Sequence, residues 1–217
     1  KFRIRSLLYE IRPWVVFAKD GYGKTALSRN LASRCFPLSE TSNIFCVVFG
    51  PNELSATLKR AGGLETLRPL HCVQTLISQV LDVMQPLTDT IWKDLKRFVE
   101  LKDGDSDSVP YGWLERLSTV LEHEGFESLI CILDEENGLP DITGNPHKLF
   151  QLLNPFMEIS SCKPKRLAFR YFLPEFVVPL LLEQSEVFHL GRWQIDYLTW
   201  SQRNLQEILA QRMIFFS

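Results

Sequence analysis

The stretch PWVVFAKDGYGKTALSRNLA, residues 13–32, decides the fold of this chain. It begins with an apolar run, Trp14 to Phe17, which predicts a buried strand. A turn containing Gly21 and Gly23 follows, and the residues after the turn predict a helix. The residues predicted to lie on the inner side of this helix are Ala26, Leu27, Leu31 and Ala32. A strand, a glycine turn and a helix in this order are the layout of a phosphate-binding loop.

Within this stretch, AKDGYGKT at 18–25 matches the Walker A pattern G-x-x-x-x-G-K-[ST] except at Ala18, which replaces glycine. Main-chain N–H groups of such a turn and the positive end of the following helix form a concave site for a polyphosphate. Lys24 adds positive charge at the β and γ phosphates, and the Thr25 hydroxyl can bind Mg²⁺. Alanine tolerates fewer backbone conformations than glycine, and we expect binding to survive if φ of Ala18 is negative. The residues predicted to bind the nucleotide are Ala18, Lys19, Asp20, Gly21, Tyr22, Gly23, Lys24, Thr25 and Ala26.

A second apolar run, LICIL at 129–133, ends directly in Asp134 and Glu135. It predicts a buried strand whose carboxylates emerge at its carboxyl end, which is where α/β sheets bind ligands. Asp134 is expected to hold Mg²⁺ together with Thr25, and Glu135 to orient or deprotonate the attacking water. The predicted catalytic residues are therefore Glu135 and Lys24.

The composition is ordinary for a globular protein of 217 residues, with 45% hydrophobic and 23% charged residues. A net charge of −2 and a pI near 6.1 give no global basic field, so nucleic acid is not an expected partner. No apolar run is long enough to span a membrane, and no secretory signal is visible. The five scattered cysteines fit a reducing compartment, which predicts a cytoplasmic location. The chain begins without an initiator methionine, and we expect it to be a segment of a longer polypeptide.

After the first strand, apolar runs predict four strands in all: 43–49, 128–133, which contains LICIL, 166–173, and one within 186–198. Between the second and third strands the pattern becomes helical, with predicted helices at 52–61, 69–84, 88–101 and 111–123. Strands that alternate with helices predict a largely parallel sheet covered on both faces.

Four segments together resemble the nucleotide-binding core of the STAND class of P-loop NTPases, which is related to the AAA+, NACHT and NB-ARC modules. They are AKDGYGKT (18–25), ILDEE (132–136), FLP (172–174) and LTWSQRNLQEILAQRM (198–213). The resemblance implies an α/β three-layer P-loop NTPase fold. Its mainly parallel five-stranded sheet has the order 5-1-4-3-2, with a helical insertion between strands 2 and 3. It divides the chain into a nucleotide-binding domain, 1–198, and the start of a truncated helical lid domain, 199–217.

By this resemblance, Lys24 and Thr25 contact phosphate and Mg²⁺, Asp134 is the Walker B acid and Glu135 is the catalytic acid. Family members often carry a polar or arginine sensor at the end of the fourth strand, where this chain has the apolar FLP. Arg170 lies just before that end, and two roles stay open for it: sensing phosphate, or pairing with a carboxylate inside the strand.

These features predict a regulatory switch domain of a larger multidomain protein that binds and hydrolyses ATP with Mg²⁺. Its expected partners are flanking sensor and effector domains, with nucleotide-dependent homo-oligomers as a further outcome. The absence of an N-K-x-D motif favours ATP over GTP. One alternative is a non-catalytic nucleotide-binding or protein-interaction module with a degenerate site. Another is a nucleic-acid motor, which would need basic surface strips.

Overall fold

The computed structural model of the chain describes residues 4–84, 90–101, 110–134, 139, 141–162, 164–184 and 193–199. Its elements, in chain order, are α1 (Ile4–Tyr9), β1 (Trp14–Ala18), α2 (Lys24–Ala32), β2 (Ile44–Phe49), α3 (Pro51–Ala61), α4 (Pro69–Val83), α5 (Thr90–Glu100), α6 (Pro110–His123), β3 (Ser128–Asp134), α7 (Pro146–Ser161), β4 (Leu167–Pro174), α8 (Val178–Gln184) and β5 (Gln194–Tyr197). A short 3-10 turn, Glu175–Val177, leads into α8. Among these elements, no helix is both long and apolar enough to cross a membrane.

The strands of the described residues form one parallel sheet with neighbours in the order β2-β3-β4-β1-β5. Counted from the β5 edge this is 5-1-4-3-2, so the predicted order is confirmed. Helices α3 to α6 lie in the chain between β2 and β3, which confirms the predicted helical insertion. Because all the strands are parallel, their carboxyl ends share one edge of the sheet.

Helices cover both faces of the sheet, and the two cores differ in size. Successive strand residues point to opposite faces. Val15 and Phe17 of β1 join the larger core, which also contains buried residues of α3 to α7. Trp14 and Val16 join a smaller core closed by α1 and α2. This confirms the predicted three-layer architecture and places α2 on the face with the smaller core.

The buried side of α2 differs from the prediction. Ala26 is exposed, so its assignment to the inner side was wrong, whereas Leu27 is half-buried and packs against the smaller core. The residues that face inward are Lys24, Thr25, Ser28, Leu31 and Ala32. The physical reason is where the helix begins. The side chains of its first two residues, Lys24 and Thr25, point inward, and the period of 3.6 residues per turn then places Ser28, Leu31 and Ala32 on the same side.

Arg170 of β4 is fully buried on the face covered by α1. Its guanidinium donates hydrogen bonds to the main-chain oxygens of Leu7 (2.6 Å), Arg12 (2.8 Å) and Phe169 (3.0 Å), and to that of Glu10. Burial lowers its pKa to about 10, so it stays charged at neutral pH. Four of the five N–H groups of an arginine are used in this way, and three of them attach α1 and the link after it to the sheet.

Candidate functional site

The loop at 18–25 is shaped by glycine backbone conformations. Gly21 (φ 78°) and Gly23 (φ 88°) both lie in the left-handed region, which side chains with a Cβ rarely adopt. The Tyr22 N–H donates to the Lys19 carbonyl oxygen at 3.2 Å and closes the turn. Ala18 has no positive φ and is the last residue of β1, so the substitution of glycine leaves the strand in an ordinary extended conformation. The backbone at Ala18 therefore meets the condition stated above for nucleotide binding, a negative φ.

The amino end of α2 opens onto this loop. Its cap is Gly23, which has no side chain, and no side-chain hydrogen bond caps the helix. The first N–H groups of a helix have no intrahelical acceptor, and the helix dipole makes this end positive. Helix α3 also begins at the carboxyl edge of the sheet, but there the Glu53 carboxylate accepts from the Gly50 N–H at 3.1 Å. An anion that approaches this edge therefore finds main-chain donors at α2.

Lys24 is buried, with 8% of its surface exposed, although it carries a full charge. Its ammonium nitrogen lies 3.3 Å from the Ala18 carbonyl oxygen and 3.2 Å from a carboxylate oxygen of Asp20. The Asp20 side chain is 90% exposed. One partner of Lys24 is therefore fixed main chain, and the other is a surface carboxylate that can move away when a phosphate takes its place.

Asp134, the last residue of β3, lies against the inner side of α2. The Thr25 hydroxyl donates to Oδ1 of Asp134 at 3.3 Å, across 109 residues of sequence. The Ser28 hydroxyl donates to Oδ2 of the same carboxylate. Sequence reasoning predicted the first pair and missed Ser28. Its spacing of three residues from Thr25, which puts both on one helix face, was the signal that could have found it.

These oxygen atoms suit a hard divalent cation. They line a cleft of about 360 Å³, which reaches the carboxyl end of β2 at Val48 and Gly50. Within the described residues, no group of three or more His, Cys, Asp or Glu side chains could hold a metal by itself. One carboxylate and one hydroxyl are what Mg²⁺ uses when phosphate and water complete its octahedron. Thr25 and Asp134 therefore fit Mg²⁺ bound together with a polyphosphate.

The end of β4 separates the loop from Asp134 and is entirely apolar. In the register of the sheet, Phe172 pairs with Asp134 and Pro174 pairs with Ala18. Phe172, Leu173 and Pro174 are all buried, and none offers a side-chain donor to a phosphate. Arg170 cannot replace them because its guanidinium is bound to main-chain carbonyl oxygens. Neither role left open for Arg170, phosphate sensor or carboxylate partner, describes these hydrogen bonds.

The other predicted site residues lie as follows. The loop carries Lys19, Asp20, Gly21, Tyr22 and Gly23, of which the first three are exposed and the last two half-buried. Ala26 is in the first turn of α2 with its side chain exposed. Glu135 lies outside the described residues, as do residues 200–217, so the predicted catalytic acid and lid domain stay predictions.

No protein-family model matches this sequence, and no curated protein matches it. Among solved structures, the chain is similar to the ORC2 protein of Aeropyrum pernix in its ADPNP-ADP complexes, with 17% identity over 96% of this chain and a TM-score of 0.49. It is also similar to the Aeropyrum pernix ORC1 protein in complex with DNA, with 14% identity over 97% of this chain and a TM-score of 0.47. It spans about half of each, 48% of either chain. At such identities the likeness concerns the fold alone.

Proposed function

We propose that this chain binds ATP with Mg²⁺ at the loop 18–25 and acts as a nucleotide-dependent switch domain of a larger protein. One observation carries the proposal. Thr25 follows a buried lysine at an uncapped helix end and hydrogen-bonds Asp134, which is remote in sequence. The helix end and Lys24 supply positive charge for a triphosphate, and the two oxygen ligands supply the protein share of a Mg²⁺ site.

In this proposal, Mg²⁺ neutralises the terminal phosphates when it is bound. Lys24 contacts the phosphate oxygens in place of the Asp20 carboxylate, and Glu135 orients the attacking water. The STAND-class resemblance supports a role in which nucleotide binding alters contacts with flanking sensor and effector domains and allows homo-oligomers. Residues 199–217 would then form the start of a helical lid, and the protein would be cytoplasmic.

Thermal unfolding tests the binding step. ATP with Mg²⁺ should stabilise the wild type by about 2.7 kcal/mol when ATP is at 100 times its Kd. Lys24→Ala should abolish the stabilisation, because the buried positive charge is lost. Lys59→Ala, at the far end of α3 and exposed, is the matched control and should keep it. A wild type with no shift at millimolar ATP and Mg²⁺ contradicts the proposal, as does a Lys24→Ala protein that keeps the full shift.

The apolar end of β4 favours a second candidate, a nucleotide-binding module that does not hydrolyse ATP. Phe172 and Pro174 flank the site where a polar group would sense the terminal phosphate, and neither has a donor. Phosphate release by the wild type and by Glu135→Gln separates the two functions. A rate that falls to background in the variant supports hydrolysis, and equal background rates support the binding module.

We predict that the chain does not bind nucleic acid. This prediction rests on the net charge of −2 alone. A titration of labelled DNA and RNA at low and high salt tests it. Binding that weakens steeply as salt rises would overturn the prediction and indicate phosphate contacts at the protein surface.

A further inference from the structure

The Ser28 hydroxyl has a second possible hydrogen-bond acceptor, Asp134, besides the main-chain oxygen that a serine inside a helix usually uses. Ser28 is 1% exposed and lies on the inner side of α2, one turn after Thr25. Its oxygen is 3.0 Å from the Thr25 main-chain oxygen, which is the ordinary local acceptor for a serine inside a helix. That oxygen is also at hydrogen-bond distance from Oδ2 of Asp134. One hydroxyl hydrogen serves one acceptor at a time, so Ser28 can bind Asp134 or turn back to its own helix.

Two hydroxyl groups on one face of α2 therefore hold the two oxygens of one carboxylate. Thr25 contacts Oδ1 at 3.3 Å, and Ser28 contacts Oδ2. Asp134 is 6% exposed, so water has little access to replace these donors. A hydrogen bond to one oxygen of a carboxylate fixes the direction of the other oxygen. Here the other oxygen is the one turned to Thr25.

We propose that Ser28 is a positioning residue for the divalent cation: it holds Oδ2 of Asp134 so that Oδ1 stays beside Thr25, where Mg²⁺ binds. This inference rests on the proposed nucleotide function and adds a residue outside the eight-residue loop pattern. Ser28 touches neither the cation nor the nucleotide. Its effect is on the affinity for Mg²⁺, and an outer partner of this kind changes metal affinity by about 10- to 100-fold.

Calorimetric titration with a non-hydrolysable ATP analogue tests this role without relying on turnover. Each protein is titrated once in EDTA and once in excess MgCl₂, and the ratio of the two affinities is the Mg²⁺ gain. Ser28→Ala should bind the analogue as the wild type does in EDTA and lose about tenfold of the Mg²⁺ gain. Ser28→Thr keeps the hydroxyl and should recover most of it. Ser33→Ala, at the exposed end of the same helix, is the control and should behave as the wild type.

The outcomes separate this inference from the function on which it rests. A Ser28→Ala protein with an undiminished Mg²⁺ gain overturns the role of Ser28 and leaves ATP binding intact. Equal weakening in EDTA and in MgCl₂ also overturns it, since Ser28 would then support the loop rather than the cation. If the wild type binds no analogue under either condition, the proposed function fails and the inference fails with it. Thermal unfolding of Ser28→Ala checks that the variant is folded, and Ser28→Cys, which replaces the hydroxyl with a weak thiol donor, takes its place in the titrations if it is not.

Discussion

Two buried charges lie on the same face of the sheet and are held in opposite ways. Asp134 ends β3, and Arg170 lies on the neighbouring strand, two residues before the one that pairs with Asp134. Asp134 is held by side-chain hydroxyls of α2. Arg170 is held by main-chain carbonyl oxygens, three of them in α1 and the link that follows it. A hydroxyl can turn to a new partner, whereas a carbonyl oxygen moves only with its backbone.

This difference separates a binding group from a structural one. Both side chains are charged and buried, so neither burial nor charge distinguishes them. Burial also raises the pKa of the nearby Cys131 thiol, which therefore stays neutral and offers Arg170 no counter-charge. The hydrogen-bond acceptors of the guanidinium are main-chain oxygens, and the charge that most raises the pKa of Arg170 is the Glu10 carboxylate. We expect changes at Arg170 to act on stability and changes at Asp134 to act on binding.

The largest effect is expected at Arg170. Arg170→Met should lower the free energy of unfolding by about 3 to 5 kcal/mol, because four carbonyl oxygens lose a donor at about 1 kcal/mol each. Urea denaturation measures the loss. The matched control is Arg166→Met, since Arg166 is partly exposed and pairs with the exposed Glu122. That control should lose less than about 1 kcal/mol. A loss as small for Arg170→Met would show that α1 is attached by other contacts.

At Asp134 the expected change in stability is smaller. Asp134→Asn keeps the size of the side chain and an oxygen that accepts from Ser28, so the free energy of unfolding should stay within about 1 kcal/mol of the wild type. The negative charge is lost, and the Mg²⁺ gain in nucleotide affinity should fall by at least about tenfold. Urea denaturation and calorimetry measure the two quantities. Asp82→Asn, an exposed change at the end of α4, is the control. A stability loss comparable to that of Arg170→Met would contradict the distinction between the two charges.

The sequence predicted most of the fold and the loop, because both depend on local patterns. Apolar runs located the strands, and glycines at 21 and 23 marked the turn whose positive φ values only glycine adopts readily. The approach of Asp134 to Thr25 followed from the common edge of parallel strands. The strand order came from the family resemblance, since strand patterns alone do not specify it.

The parts that sequence reasoning missed depend on the phase and docking of helices. Ala26 was placed inward because apolar side chains usually are, but the start of α2 turned Ser28 inward instead. The partners of Arg170 could not be predicted because main-chain carbonyl oxygens carry no sequence signal. A carboxylate partner was the natural expectation for an arginine in a buried strand, and the docking of α1 replaced it.

The smallest effect is expected at Asp20, which is one of two hydrogen-bond partners of Lys24. The Ala18 carbonyl oxygen is fixed, whereas the Asp20 carboxylate is 90% exposed and would repel an incoming triphosphate. Asp20→Asn should raise affinity for the ATP analogue by about two- to fivefold at low salt, the size of a surface charge interaction. Added salt should shrink the gain by screening. Glu122→Gln makes the same change in net charge at the start of the strands, away from the loop, and should leave affinity unchanged. Calorimetry at two salt concentrations makes the comparison. Weaker binding by Asp20→Asn would show that the Asp20 carboxylate stabilises the loop conformation. The contact between Asp20 and Lys24 would then be structural, as the contacts of Arg170 are.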